Sequence, residues 1–196
     1  MTIDKESLII ENKRIYLRPL RVEDVTDEYI NGLNDSEVNR YLVNVRKNVQ
    51  TRESVEKFVH SNMENPSSIL FGIFLKDRAE PLIGTVRVSE IDFFHYTASV
   101  GVCLFAKQKW KKGYALQAVK MVKNYLFEVL CLHYLEAGAN AHNKDSINLF
   151  IRAGFSEWYR VKNKYRHIDT FEEVIYFVVI NPSFDISLLK LRNVRG

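Results

Sequence analysis

Residues 102–115, VCLFAKQKWKKGYA, contain the change of pattern that decides the fold. A β-like apolar run ends inside this stretch, a polar loop follows, and from Gly113 onward the apolar period becomes that of a helix. Apolar residues then recur at alternating spacings of four and three, at Ala115, Val119, Val122, Leu126 and Val129. This spacing predicts the buried face of an amphipathic helix that begins at the loop.

The start of this predicted helix is suited to binding an anion. A helix N-terminus exposes unpaired N–H groups and the positive end of the helix dipole. Gly113 and Ala115 let phosphate oxygens approach the backbone closely. Four lysines stand within six residues, at Lys107, Lys109, Lys111 and Lys112. The segment therefore predicts a cradle for a pyrophosphate.

Two other interpretations of the loop stay open. One is a solvated basic loop closed by a glycine, and the other is a nucleic-acid patch, for which only Trp110 and Tyr114 offer stacking surfaces. The loop contains neither GxxxxGK[ST] nor GxGxxG. This excludes P-loop kinases and ATPases as well as dehydrogenases with a dinucleotide fingerprint.

The patterns on both sides of the loop predict an α+β domain. Strands are expected at residues 15–17, 69–75, 82–88, 98–105, 135–139, 155–159 and 174–179. Helical stretches are expected at residues 23–33, after Asn34, after Thr51, from Gly113 and at 143–153. A hairpin beside a strand–helix–strand crossover gives a mixed sheet. We expect a single domain over residues 1–196, with the basic tail from about 181 to 196 unplaced.

The six residues 110–115, WKKGYA, resemble the acyl-coenzyme A loop of the GNAT superfamily of N-acetyltransferases, usually written [RQ]xxGx[GA]. Trp110 departs from the first slot, but Trp is a variant in the branch that resembles ribosomal-protein alanine acetyltransferases and nucleotide amino-sugar N-acetyltransferases. Further stretches resemble this branch in order and spacing: residues 16–20, 83–85 and 99–102, and an NxxS…GF pattern at Asn143, Ser146, Gly154 and Phe155.

The resemblance implies a single GNAT-like domain whose mixed, mostly antiparallel sheet has six to seven strands, a splayed centre and flanking helices. It also implies acetyl-coenzyme A as co-substrate. The residues implied to bind it are Leu104, Phe105, Lys109, Trp110, Lys111, Lys112, Gly113, Tyr114, Ala115, Asn143 and Ser146. Asn143 is equally interpretable as a helix N-cap, and both roles are compatible.

The implied reaction is direct attack of a primary amine on an acetyl thioester, which requires a neutral amine, a polarised carbonyl and a stabilised thiolate. By resemblance, the backbone N–H of Leu104 or Phe105 polarises the carbonyl. Glu90 is the first choice as base because it ends a strand near the splay. Asp92, Glu136 and bulk water are the alternatives.

The group that stabilises the thiolate is less clearly marked. Many superfamily members carry a Tyr four residues before the glycine of the GF pair, but this position is Phe150, which has no proton to donate. Ser146 is preferred by resemblance, with Tyr159 and Tyr165 as alternatives. Because an alcohol is a weak acid, we expect hydrogen bonding or a relay from Ser146.

The acceptor is predicted from the front of the chain. Residues 34–41, with Arg46 and Thr51, resemble the front segment of N-acetyltransferases that act on nucleotide-linked amino sugars in surface polysaccharide synthesis. Arg40, Arg46 and Arg87 are then expected to bind the substrate pyrophosphate, although scattered arginines are often only solubilising. The alternatives are a protein N-terminus, a polyamine, or a non-catalytic acyl-coenzyme A-binding module.

Composition limits the remaining classes. The 196 residues carry a net charge of +4, which fits an anionic small molecule as readily as nucleic acid, and no nucleic-acid partner is predicted. No apolar run reaches the ~20 residues of a membrane span, and no signal peptide is recognisable, so we expect a cytoplasmic location. The five histidines and two cysteines lack metal-ligand spacing, so no metal is predicted. The expected partner is a small-molecule amine, and the chain is a monomer or a homodimer.

Overall fold

The computed structural model describes residues 3–77 and 81–187. Its strands are β1 (Ile10–Glu11), β2 (Ile15–Pro19), β3 (Ile69–Leu75), β4 (Leu82–Asp92), β5 (Thr97–Cys103), β6 (Tyr134–Asn140), β7 (Ser156–His167) and β8 (Thr170–Ile180). Its helices are α1 (Asp27–Asn34), α2 (Ser36–Asn39), α3 (Arg52–Glu64), α4 (Tyr114–Asn124) and α5 (Lys144–Arg152). Of the predicted tail from about 181 to 196, residues 188–196 lie outside the described residues.

The strands form one mixed sheet in the order β1-β2-β3-β4-β5-β6-β8-β7. Within the described residues, β5 and β6 form the one parallel pair, and they pair at three positions only, from Thr97 with Tyr134 to Ser99 with Glu136. Beyond these positions the two strands separate. We call the gap between Val100–Cys103 of β5 and Ala137–Asn140 of β6 the splay.

Apolar cores lie on both faces of the sheet. One core joins α4 and α5 to the sheet, with Val119, Val122 and Phe150 inside it. The second packs residues of α1 and α3, including Tyr29 and Val59, against the opposite face at β2, β3 and β4. On this second face, the part formed by β5, β6 and β8 is accessible. We call it the open face; it carries Ser99, Gly101, Glu136, Gly138 and Tyr176.

The α+β fold with a mixed, mostly antiparallel and splayed sheet is confirmed, and the strand number is eight where six to seven were expected. The difference arises from β1, which has two residues and therefore no readable period. The sequence predicts a loop or a ragged hairpin for the polar stretch 160–169, and the structure has the hairpin, in which β7 runs to His167 and pairs irregularly with β8. Because β7 is exposed on both faces, its residues do not alternate between apolar and polar.

The prediction of a buried helix face from Ala115 to Val129 was wrong at its C-terminal end. Leu126 is fully buried, whereas Val129 is 57% exposed. Residues 125–129 form a π-helical turn, which contains more residues per turn than an α-helix and so rotates the following side chains off the buried stripe. The sequence also predicts that Ile151 faces inward from α5 and that Cys131 is a core residue, but both are exposed.

Candidate functional site

The loop before α4, where the sequence predicts an anion cradle, ends in left-handed backbone at the start of the helix. A single 3₁₀ turn spans Lys107–Lys109, and left-handed backbone follows at Lys111 (φ 57°) and Gly113 (φ 81°). A Cβ at Gly113 would meet no heavy atom within 4 Å. The first N–H groups of α4, from Tyr114, therefore face accessible space, where an anion benefits from the helix dipole.

The cations around this cradle differ from those expected. Lys107 forms ion pairs with Asp35 at 2.8 Å and Glu37 at 3.2 Å, so its charge is already compensated. Lys111 and Lys112 are exposed and Lys109 is half-buried.

Arg14, which lies in the turn before β2, is a further cation that the sequence did not predict for this site. Its guanidinium stacks 4.3 Å from the centre of the Tyr114 ring, and Nη1 donates to the Lys112 carbonyl at 3.1 Å. This places one more cation beside the start of α4. No local pattern marks Arg14, because the contact joins residues about one hundred positions apart.

The chain leaves the β4 ladder irregularly at the end of β5. The register pairs Thr85 with Cys103, and its continuation would bring Phe105 opposite Ile83. Instead the Ala106 N–H donates to the Ile83 carbonyl at 3.1 Å. This one-residue slip has the character of a β-bulge, which leaves a backbone group unpaired.

Two side chains fix this irregular segment. The Trp110 indole Nε1–H donates to the Leu104 carbonyl at 2.6 Å. The buried Phe105 ring stacks on Tyr29 of α1, with 4.6 Å between ring centroids. Among the described residues, neither of the two predicted donors, the Leu104 N–H and the Phe105 N–H, has a backbone acceptor.

The other wall of the splay leads into α5. Asn143 is the N-cap of this helix, and its side-chain oxygen accepts the Ser146 N–H at 3.1 Å, which confirms the capping interpretation. Asn140 ends β6; its Oδ1 accepts the His142 N–H, and its buried Nδ2 has no partner among the described residues. Phe150 lies in the core and contacts other aromatic rings.

Two carboxylates lie close together at the closed end of the splay, which is the end where β5 and β6 still pair. Ser99 Oγ donates to Glu90 Oε2 at 2.7 Å, and Ser99 is the register partner of Glu136. Partial burial, and next the charge of Glu90, raise the pKa of Glu136, while Lys164 acts in the opposite direction. Asp92, the third predicted acid, accepts the N–H groups of residues 94 and 95 and so stabilises a turn.

Aromatic side chains continue the open face from these acids. Tyr159 of β7 stacks on Tyr176 of β8, with 4.5 Å between centroids. The Lys164 ammonium contacts the Tyr176 hydroxyl and lies 4.4 Å from the centre of its ring. Burial, and then Glu136, raise the pKa of Tyr159. Tyr165 lies farther along β7, opposite Glu172.

The three predicted substrate arginines do not form one cluster. Arg46, whose side chain is 11% exposed, forms a bidentate pair with Glu172 at 2.5 and 3.2 Å and also donates to two backbone carbonyls. The exposed Arg40 contributes one of those carbonyls and stacks on Tyr41. Arg87 donates to Asn62 of α3. Arg46 and Arg87 thus already have protein acceptors.

In residues 3–77 and 81–187, no group of three potential metal ligands comes together. Across the same ranges, no helix is both long and apolar enough to cross a bilayer.

Solved structures with the same architecture are acetyltransferases. The spermidine N-acetyltransferase of Vibrio cholerae, in complex with CoA and spermine, superimposes with a TM-score of 0.77 at 20% identity, over 88% of this chain and 99% of that chain. A GNAT-family acetyltransferase from Bacillus anthracis has a TM-score of 0.75 at 22% identity, over 89% and 99% of the two chains. These likenesses define the fold.

Sequence comparison gives the family. The model described as acetyltransferase (GNAT) domain matches residues 14–156, and the chain belongs to that family of N-acetyltransferases. The chain is 27% identical over 179 residues to YjcK of Bacillus subtilis, named a probable N-acetyltransferase, covering 89% of this chain and 98% of the relative. It is 27% identical to the spermidine N(1)-acetyltransferase of Escherichia coli, over 72% of this chain and 73% of the relative.

Proposed function

We propose that the protein transfers an acetyl group from acetyl-coenzyme A to a small cationic amine. When bound, acetyl-coenzyme A supplies the acetyl group as an activated thioester. The cradle fits its pyrophosphate because the Gly113 side is open and the start of α4 points there. Lys109, Lys111, Lys112 and Arg14 supply the compensating charge in this proposal.

The arm of the co-substrate is proposed to lie in the splay, where β5 and β6 leave their facing edges unpaired with each other. The backbone N–H of Leu104 or Phe105 on one side, and the Asn143 amide and Ser146 hydroxyl on the other, are its proposed hydrogen-bond partners. The cap made by Asn143 uses only its side-chain oxygen, so the NH₂ group remains available to a ligand.

The acceptor class is inferred from Glu90 and Glu136. Two carboxylates that influence each other at the closed end of the splay create a negative site, which attracts an ammonium ion. An ammonium must lose a proton before it attacks the thioester, and the raised pKa of Glu136 favours proton uptake by that carboxylate. We therefore propose that Glu136 accepts the proton and that Glu90 supplies the adjacent negative charge. This replaces Glu90, the residue first chosen as base from the sequence.

Polyamines are the acceptor class that this negative site favours. Relatives named as spermidine acetyltransferases support this choice. The nucleotide-linked amino sugar stays an untested prediction with weaker support, because Arg46 and Arg87 already donate to protein acceptors. The aromatic rings of Tyr159 and Tyr176 add surfaces that suit an alkylammonium chain.

The test compares acids at two places. In the Glu90→Gln/Glu136→Gln double variant, KM for spermidine should rise at least tenfold while the dissociation constant of coenzyme A stays within twofold. Glu128→Gln changes an exposed acid in the π-helical turn after α4; it is the matched control and should change neither constant. Unchanged spermidine kinetics in the double variant would contradict the assignment.

A further inference from the structure

We propose that Lys164 is a specificity-determining residue: its ammonium lies at the place on the open face that the second ammonium group of a polyamine takes, so that the two cations compete. This inference rests on the proposed acetylation of a polyamine and adds the residue that a dication must displace. The observation behind it is the contact of the Lys164 ammonium with the Tyr176 hydroxyl.

An irregular stretch of β7 directs Lys164 to this place. Between Val161 and Tyr165, four steps along β7 match two steps along β8. Asn163, inside this stretch, has left-handed backbone with φ 52°. Extra residues in a ladder re-aim the side chains beside them. Here the irregularity accompanies a Lys164 side chain that reaches across to Tyr176 of β8.

The place of this ammonium suits other alkylammonium groups. The Lys164 ammonium donates to the Tyr176 hydroxyl and lies 5.2 Å from the centre of the Tyr165 ring. A hydroxyl oxygen accepts from an ammonium, and an aromatic ring attracts a cation at this distance. Tyr159 extends the aromatic surface by stacking on Tyr176. A lysine side chain is itself a butylammonium, so it has the chemistry of the aminobutyl end of spermidine.

Lys164 is held loosely enough to be displaced. Its side chain is exposed, and within residues 3–77 and 81–187 it forms no ion pair with a carboxylate. An exposed lysine that is fixed in one geometry loses rotamer freedom and gains little electrostatic energy in water. A competing ammonium can therefore move the Lys164 side chain into solvent with little loss of stabilisation.

The same place is continuous with the acids at the closed end of the splay. Tyr176 pairs with Gly138 of β6, which lies two residues from Glu136 on the open face and has no side chain to separate the two. Burial and the charge of Glu90 raise the pKa of Glu136, and the charge of Lys164 acts against them. A dication can thus place its reacting amine at the acids and its second ammonium at Tyr176.

The competition is tested by binding, without acetyl transfer. Lys164→Met keeps an unbranched side chain and removes the charge. The dissociation constant of 1,4-diaminobutane should fall at least threefold more than that of butylamine, because only the dication must displace the lysine. Lys164→Arg retains the cation, so both constants should stay within twofold of the wild-type values. Lys162→Met, at an exposed lysine two residues earlier, is the matched control and should leave the ratio of the two constants unchanged.

The pKa of Glu136 gives a second readout that needs no acceptor. The titratable groups that interact with this carboxyl are Glu90, Tyr134, Tyr159 and Lys164. Lys164→Met removes the cation from this set, so the pKa of Glu136 should rise, because its ionised form loses a favourable charge. Lys162→Met should leave it in place. Carboxyl ¹³C NMR of the protein without added amine measures the titration.

The outcomes separate this inference from the proposed function. Equal changes of both amine constants in Lys164→Met, or a pKa of Glu136 that does not move, would overturn the inference while leaving polyamine acetylation intact. A ratio of constants that changes as much in Lys162→Met would also overturn it, because the effect would then belong to the charge of the strand as a whole. Failure of both amines to bind to the wild type and to Lys164→Met would contradict the proposed acceptor class, and the inference with it.

Discussion

Ser99 and Glu136 are the last residues at which β5 and β6 pair before the two strands separate. The Ser99 hydroxyl also donates to Glu90, so two carboxylates are collected at the closed end of the splay. A splayed sheet thus does two things at once. It opens a gap for an extended ligand, and it places acids where that gap ends.

The pKa of Glu136 gives a testable pH dependence. A base must be deprotonated to work, so kcat/KM should rise with pH through the pKa of Glu136, which burial and Glu90 raise above its usual value. Glu90→Gln removes the like charge and lowers that pKa. The acidic limb of the profile should therefore move to lower pH in Glu90→Gln and disappear in Glu136→Gln. A limb in the same place in all three proteins would exclude Glu136 as the base.

Gly113 offers a direct test of the cradle. Gly113→Val places a branched side chain on the open side and in left-handed backbone, which such residues avoid. Affinity for coenzyme A should fall at least tenfold, or about 1.4 kcal/mol. Gly154→Val is the matched control, because Gly154 also has a positive φ but lies at the end of α5. Calorimetric titration should find the loss in the first variant alone; equal affinities would rule out the cradle.

Asn143 has two separable tasks. Asn143→Asp retains an oxygen that accepts the Ser146 N–H, so the helix cap and thermal stability should be kept. It removes the NH₂ donor, so affinity for coenzyme A should fall about fivefold, roughly 1 kcal/mol. Asn143→Ala should lose both, with about 1 kcal/mol less stability. Full affinity in Asn143→Asp would leave the residue with its capping role only.

Ser146 is expected to act in the transition state. If its hydroxyl stabilises the departing thiolate, Ser146→Ala should lower kcat at least tenfold with little change in coenzyme A affinity. Tyr159→Phe and Tyr165→Phe are the comparison variants. Unchanged kcat in Ser146→Ala, together with an inactive tyrosine variant, would move the donor to β7.

The buried pair of Arg46 and Glu172 joins the segment before α3 to the tip of the β7–β8 hairpin. Their side chains are 11% and 7% exposed. Arg46→Ala would leave Glu172 buried without its partner, so we expect about 3 to 5 kcal/mol of lost stability. Arg40→Ala, at an exposed position, should cost much less. Denaturant unfolding measures the stability of both variants. Unchanged stability in Arg46→Ala would contradict the structural role of Arg46 and favour its predicted role in substrate binding.

Local patterns predicted most of the fold. The spacing from Ala115 to Leu126 marks α4 because one face of that helix is buried, and the Thr51 cap forms as expected with Ser54. The loop of residues 107–113 was also correctly placed at a helix start, because the change of period is visible in a single stretch of sequence.

Contacts between residues that are far apart in the chain could not be predicted from the sequence. Lys107 is one of four similar lysines, and nothing local shows that Asp35 and Glu37 pair with it. Arg46 and Glu172 are 126 positions apart, and only the folded hairpin brings them together. Glu90 and Glu136 were each recognised as candidates, but their meeting depends on strand register, which one sequence does not specify.

The central claim is that an amine acceptor of positive charge binds at the closed end of the splay and receives the acetyl group. The most direct measurement is kcat/KM, from release of free thiol from acetyl-coenzyme A, for spermidine, a nucleotide-linked amino sugar and a peptide with a free N-terminus, side by side. We predict that spermidine gives the highest value by at least tenfold. A higher kcat/KM for the amino sugar or the peptide would contradict the claim while leaving acetyl transfer intact.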